Sequence, residues 1–135
     1  MIIVDSSVLA KYVLRENDWD AVERHLAVSK SVTCDLALKE VANTIWKHMV
    51  IFKSYSKKVA LEKFVVLNKL ARNVLDIEDE GTYFREAFEI ALKTGLTVYD
   101  AIFIAQALKH RASLLTSDEK QADVARTLGI DVIFI

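Results

Sequence analysis

The chain of 135 residues carries 18 Lys and Arg against 19 Asp and Glu, a net charge of −1, with 53% hydrophobic residues and a single Cys. That length and apolar content suit one domain over residues 1–135 that buries its own core, and they exclude a disordered chain. One Cys, three scattered Gly and no Pro exclude a disulfide framework, a cysteine zinc cluster, a glycine-rich phosphate loop and Pro-rich linkers.

Residues 1–4 form an apolar run without polar alternation, which predicts a strand buried on both faces, as in a parallel sheet. Ser6 or Ser7 is expected to cap a helix running to about Arg15, with Val8, Leu9, Tyr12 and Val13 at helical spacing. Asp18 suits the cap of a second helix through about Ser29, with Trp19, Val22 and Leu26 turned inward. Residues 31–34 read as a short strand, and Asp35 as the cap of a helix whose apolar face is Leu36, Leu38, Val41, Ile45, Trp46 and Met49. Ser56 caps the next helix, which carries Val59, Phe64, Leu67 and Leu70. Residues 73–77 predict a third strand. Residues 81–94 predict a helix ended by Gly95 in the left-handed C′ conformation. Thr97 precedes a helix through about Arg111, and residues 114–116 form a fourth strand. Ser117 or Asp118 opens the last helix, Gly129 closes it, and residues 131–135 make a final strand.

This alternation predicts an α/β protein of three α/β/α layers around a parallel sheet of about four to five strands. No apolar run approaches the ~18 residues of a membrane span, and no run of roughly 7–15 apolar residues follows a basic start. A cytoplasmic protein without membrane contact is the expectation.

In an open parallel sheet, ligands bind beyond the carboxyl ends of the strands. Asp5 follows the first strand and Asp118 the fourth. Glu40 lies one turn into the helix after the second, and Asp100 stands near the start of the helix that leads back to the fourth. If strands one and four are neighbours, these carboxylates share one edge of the sheet. Converging carboxylates repel and raise one another's pKa, and an all-oxygen set suits Mg²⁺ or Mn²⁺, which supports metal-assisted phosphodiester hydrolysis. Each acid also has a plainer reading. Asp5 and Asp118 suit helix caps, and Glu40 beside Lys39 suits a solvated helix face. Asp100 lies among apolar neighbours, where a buried carboxylate needs a partner or a metal. His25, His48 and His110 form no ligand spacing.

Residues 3–7 (IVDSS), 40–43 (EVAN), 97–101 (TVYDA) and 114–118 (LLTSD) span nearly the whole chain, and with them the sequence resembles a PIN domain, most closely the small VapC-type toxin ribonucleases. The resemblance implies a compact α/β/α fold and Mg²⁺- or Mn²⁺-dependent endoribonuclease activity. It also implies a homodimer held by a cognate antitoxin in a toxin–antitoxin pair. The family's acidic quartet falls on Asp5, Glu40, Asp100 and Asp118 as catalytic and metal-binding residues. Its polar supporting positions fall on Ser6, Asn43 and Thr116. Members differ in whether a further acid follows the fourth; Glu119 and Asp123 stand there, and both suit a solvated helix face better. Two other readings are carried forward. A haloacid-dehalogenase-like phosphohydrolase also begins with strand-then-Asp, but Ser7 occupies the place of its second acid. A catalytically silent PIN-like module that binds RNA or protein would be expected to lack one of the acids, and none is missing.

The net charge conceals a segregation. Residues 39–72 hold eight Lys and Arg against two Glu, a net +6, while the remaining ten bases and seventeen acids net −7. The basic block, with Lys53, Lys57 and Lys58 as candidate RNA-binding residues, suits phosphate binding, a solvated hairpin or an acidic partner segment. Trp46 and Phe52 within it continue an apolar stripe and are expected to pack.

Overall fold

The computed structural model describes residues 1–135. Five strands, β1 (Ile2–Val4), β2 (Ser31–Cys34), β3 (Leu75–Glu78), β4 (Ser113–Thr116) and β5 (Val132–Phe134), form one parallel sheet in the order β3-β2-β1-β4-β5. Seven helices flank it: α1 (Ser6–Val13), α2 (Trp19–Val28), α3 (Asp35–Val50), α4 (Lys57–Asn73), α5 (Phe84–Thr94), α6 (Val98–His110) and α7 (Glu119–Thr127). A 3₁₀ turn, Glu80–Tyr83, leads into α5.

β1 lies at the centre because all three of its residues are apolar and buried, as a strand covered on both faces requires. The chain builds outward from β1 through β2 to β3. It then crosses back to place β4 on the other side of β1. The reversal of strand order therefore lies between β1 and β4, where parallel α/β sheets open a crevice at their carboxyl edge. α6 makes the core beneath it: residues 101–107 are all buried, including Phe103, Ile104 and Gln106. No helix is long and apolar enough to cross a membrane.

Boundaries differ from the sequence reading where capping decides them. α1 is capped by Asp5, whose side chain accepts from Val8 N; the serines expected to cap lie inside the helix. Asp18 takes a left-handed backbone (φ 65°) and makes no capping hydrogen bond. Cys34, not Asp35, is the cap residue of α3, while Asp35 accepts from the backbone N–H of Glu80 at 2.9 Å. Ser56, Thr97 and Gly95 act as their spacing predicts.

Trp46 and Phe52 correct the reading of the basic block. They are 48% and 62% exposed, in company with Val50, Ile51, Leu61, Phe64 and Val65. The cause is length. The 16 residues of α3 rise about 24 Å, so its last turn and the hairpin tip beyond it leave an apolar stripe only partly covered. His48 stacks on Tyr55 at 4.7 Å and meets Phe52 edge-on at 5.5 Å, closing the tip of the α3–α4 hairpin locally.

Candidate active site

The register of β1 on β4 builds the site. Val4 pairs with Leu115, so Asp5 and Thr116 are the next residues at the carboxyl edge. The backbone N–H of Asp5 donates to the Leu115 carbonyl at 3.2 Å, and Thr116 Oγ1 lies 2.6 Å from Asp5 Oδ2. Asp5 Oδ1 accepts from the Val8 N–H at 3.1 Å as it caps α1. Ser7 Oγ lies 2.7 and 2.9 Å from the two carboxylate oxygens and itself accepts from the Ser117 N–H at 2.8 Å. Capping and site roles thus fall on one side chain.

Asp118 repeats this arrangement. Its Oδ1 accepts from Gln121 N at 2.8 Å as the cap of α7, and its backbone N–H donates to Thr116 Oγ1 at 3.0 Å. Glu40 comes from the second turn of α3, where Ser6 Oγ donates to its Oε1 at 3.2 Å. Asp100 sits in the first turn of α6, capped by Thr97, whose Oγ1 accepts from the Asp100 N–H at 3.2 Å. It is partly buried, while its neighbour Tyr99 is 62% exposed.

The acids sense one another. Burial pushes Asp5 up to about 6 against the lowering effect of its hydrogen bonds from Thr116, Ser7 and Val8, and the Asp118 charge adds to the rise. Burial likewise raises Asp100, with Asp118 adding to the effect while Thr97 and Lys120 oppose it. Burial also raises Glu40. Ser6 opposes that rise, and Asp100 and Glu80 reinforce it.

In the absence of a cation, the hydrogen-bond network accommodates the proton that Asp5 takes up as pH falls through about 6. Thr116 Oγ1 has one proton but faces two acceptors, Asp5 Oδ2 at 2.6 Å and Gln121 Oε1 at 2.9 Å. Gln121 cannot turn over, because its Nε2 donates to the Asp100 carbonyl at 3.0 Å. A protonated Asp5 donates to Thr116, which then donates to Gln121, and every group is satisfied.

Two participants escaped the sequence reading. Ser7 holds Asp5 more closely than Ser6, which serves Glu40 instead. Gln121 is 1% exposed and ties Thr116, Asp118 and Asp100 together across β4, α7 and α6. Its signal was present: Asp118 followed three residues later by Gln is a capping-box pattern. Gln121→Leu is expected to cost about 1–3 kcal/mol, because the Asp100 carbonyl loses its buried donor. Chemical denaturation checks this, and an unchanged midpoint would refute it.

Asn43 is exposed and lines the cleft between α1 and α3 beyond Glu40. Glu119 is exposed, and Asp123 pairs with Arg126 at 3.2 Å on the outer face of α7. Lys53, Lys57 and Lys58 are exposed at the hairpin tip, more than about 15 Å along α3 from Glu40.

The donor set is carboxylate oxygen throughout, with hydroxyls behind it, which is the chemistry a hard divalent cation takes. As the side chains stand, no three of them form a ready cage for an ion, because Asp5 is turned onto its protein donors.

The family model described as the PIN domain matches residues 2–127. The chain belongs to the PIN domain family. Among curated relatives, this PIN domain is 32% identical to Ribonuclease VapC3 of Pyrobaculum aerophilum over 128 residues, covering 90% of this chain and 92% of the relative. Solved structures share its fold. VapC20 of Mycobacterium tuberculosis, described as a sarcin-ricin loop cleaving toxin, superposes with a TM-score of 0.69 at 16% identity, over 91% of this chain and 94% of its own. VapBC2 of Rickettsia felis, bound to a DNA fragment from its promoter, does so with a TM-score of 0.66 at 18% identity, over 100% of this chain and 99% of its own. Membership settles the fold against the haloacid-dehalogenase-like alternative. Ser7, in the place of that family's second acid, is here a donor to Asp5.

Proposed function

We propose that this chain, as one PIN domain over residues 1–135, is a divalent-metal-dependent endoribonuclease and the toxin of a toxin–antitoxin pair. The observation that supports the reading is the placement of Asp5 and Asp118 at the carboxyl ends of the neighbouring strands β1 and β4, with Asp100 and Glu40 close enough to feel the charge of another of these acids. The 32% identity to a VapC ribonuclease over nearly the whole chain supports RNA as the substrate. All four acids are present, which favours the enzyme over a silent RNA- or protein-binding module.

In this reading Asp5, Asp100 and Asp118, with Glu40, hold Mg²⁺ or Mn²⁺. Such an ion supplies an attacking water of lowered pKa and offsets charge on the phosphate. The protein's own groups do the rest. Thr116 and Ser7 fix the plane of the Asp5 carboxylate, and Gln121 fixes Thr116. Glu40, raised by burial and by Asp100, is suited to accept a proton from the attacking water. Asn43 lies one turn beyond it, in reach of the substrate strand.

Lys53, Lys57 and Lys58 steer RNA toward the site from the hairpin tip. Reversing all three charges is expected to weaken RNA binding and flatten its salt dependence by up to about 0.7 for each phosphate these lysines neutralise. An unchanged salt slope would show that they do not bind the strand. The exposed apolar residues of α3 and α4, set among those lysines, form the surface for the cognate antitoxin. Phe84, Phe88 and Leu92 form an exposed stripe on α5, with Tyr99 on α6, and suit a second copy in a homodimer. The reading places the protein in the cytoplasm, with RNA and antitoxin. Incubation with single-stranded RNA tests the function: cleavage with Mg²⁺ or Mn²⁺ that stops on chelation supports it, and an intact substrate under all conditions refutes it.

A further inference from the structure

Of the four acids, Glu40 also opens onto a separate cleft between α1 and α3. Ser6, Ser7 and Ala10 of α1 face Glu40, Asn43, Thr44 and Lys47 of α3 across a cavity of about 210 Å³. Ala10 is the sole apolar member, and its small side chain leaves the floor open. Positions 40, 43, 44 and 47 recur at helical spacing, so they share one face of α3. Thr44 Oγ1 donates back to the Glu40 carbonyl at 3.0 Å, which commits its proton to the helix. Lys47 has no such commitment. It makes no ion pair in the chain, whereas Lys39, two turns earlier, is held by Glu80 at 3.2 Å and by Asp35 at 3.7 Å. The cleft therefore begins at Glu40 and at the serines that hold Glu40 and Asp5, and runs to an unpaired cation.

Geometry decides what spans the two ends. Seven residues of helix place Lys47 about 10 Å along the axis from Glu40. A nucleic-acid strand carries one phosphate per nucleotide, spaced by roughly 3.4 Å of rise in a duplex and more widely when extended. A strand whose reacting phosphodiester lies at the acids therefore brings a nearby phosphate to Lys47, about one to three nucleotides away depending on how extended it is. The lysines at the hairpin tip are too far along the helix to do this.

We propose that the α1–α3 cleft is a phosphate subsite for the substrate strand. Lys47 binds a phosphate about one to three nucleotides from the scissile one, and Asn43 touches the strand between them. The proposal rests on the ribonuclease reading and makes Lys47 a positioning residue that sets the register of the strand without touching the reacting bond.

The test uses the intact protein in EDTA, where RNA binds without being cut. Fluorescence anisotropy follows a labelled single-stranded RNA hexamer of mixed sequence at several salt concentrations. Lys47→Ala is expected to weaken binding about 5- to 10-fold at low salt and to lower the salt slope by about 0.7, the share of one neutralised phosphate. Lys47→Arg should retain both. Lys30→Ala, which removes an equal charge at the opposite edge of the sheet, should leave both unchanged. With metal restored, Lys47→Ala should raise KM by a similar factor while kcat stays within about twofold. Equal affinity and slope in wild type and Lys47→Ala, or equal losses in Lys47→Ala and Lys30→Ala, overturn the subsite while cleavage by the wild type leaves the ribonuclease reading standing. Wild-type protein that neither binds nor cleaves RNA overturns both.

Discussion

Asp5→Asn is expected to lower RNA cleavage on the order of 10³-fold or more while leaving the protein fully folded. The loss follows from position. Asp5 lies at the centre of the crevice, next to Asp118 across β1 and β4, and a neutral amide removes the charge that a cation needs there. The retained fold follows from the hydrogen bonds. An asparagine Oδ1 still accepts from Val8 N, and Asn caps helices as well as Asp does. Its Nδ2 donates to Thr116, freeing Thr116 to donate to Gln121, so the variant reproduces the network of the protonated acid. Asp100→Asn should be as inactive. Steady-state cleavage with circular dichroism of the same samples checks both, and a folded variant with wild-type activity would reject the assignment.

The second large effect is on stability. The folded-state pKa of Asp5 lies at about 6, above its ordinary value of 3.8, so the folded state binds the proton more tightly than the unfolded state. The sign follows: the contribution of this group to stability is greatest below about pH 4, falls as pH rises through the interval to 6, and stays low above it. The difference corresponds to about 3 kcal/mol. Glu40 and Asp100 are raised as well and act in the same direction. In metal-free buffer the Tm of the wild type should therefore rise relative to Asp5→Asn as pH is lowered from 7 toward 4. Near pH 7 the variant should be the more stable of the two. Divalent cation at about 100 times its Kd should restore about 2.7 kcal/mol to the wild type, and much less to the variant. Calorimetric scans across pH, with and without Mn²⁺, check this. Parallel Tm curves for the two proteins would contradict it.

The sheet was legible because its strands are short apolar runs separated by helical patterns, and parallel pairing buries them on both faces. The placement of Asp5 and Asp118 at one edge also followed, once β1 and β4 proved to be neighbours. What the pattern did not show is which donors hold which acid. Ser6 and Ser7 are adjacent in sequence, yet a helix turns successive side chains about 100° apart, so one reaches Glu40 and the other Asp5. Gln121 reaches the Asp100 carbonyl only because α7 packs on α6, a contact no local pattern encodes. Trp46 and Phe52 misled for a related reason. Their periodicity is that of a buried stripe, but at the end of α3 and the hairpin tip that stripe is only partly covered. Charge was legible in sum and not in place. Among eight cations in the basic block, only the fold distinguishes Lys47, which lines the cleft, from those at the hairpin tip.

The central claim is that these four carboxylates together hold a divalent cation. Titration of metal-free protein with Mn²⁺, with free ion counted by electron paramagnetic resonance at about pH 7.5, well above the raised pKa of Asp5, tests it most directly. Saturable binding is expected for the wild type, abolished in Asp5→Asn and in Asp100→Asn and weakened as pH falls below about 6. Equal Mn²⁺ binding by the wild type and both variants would contradict it.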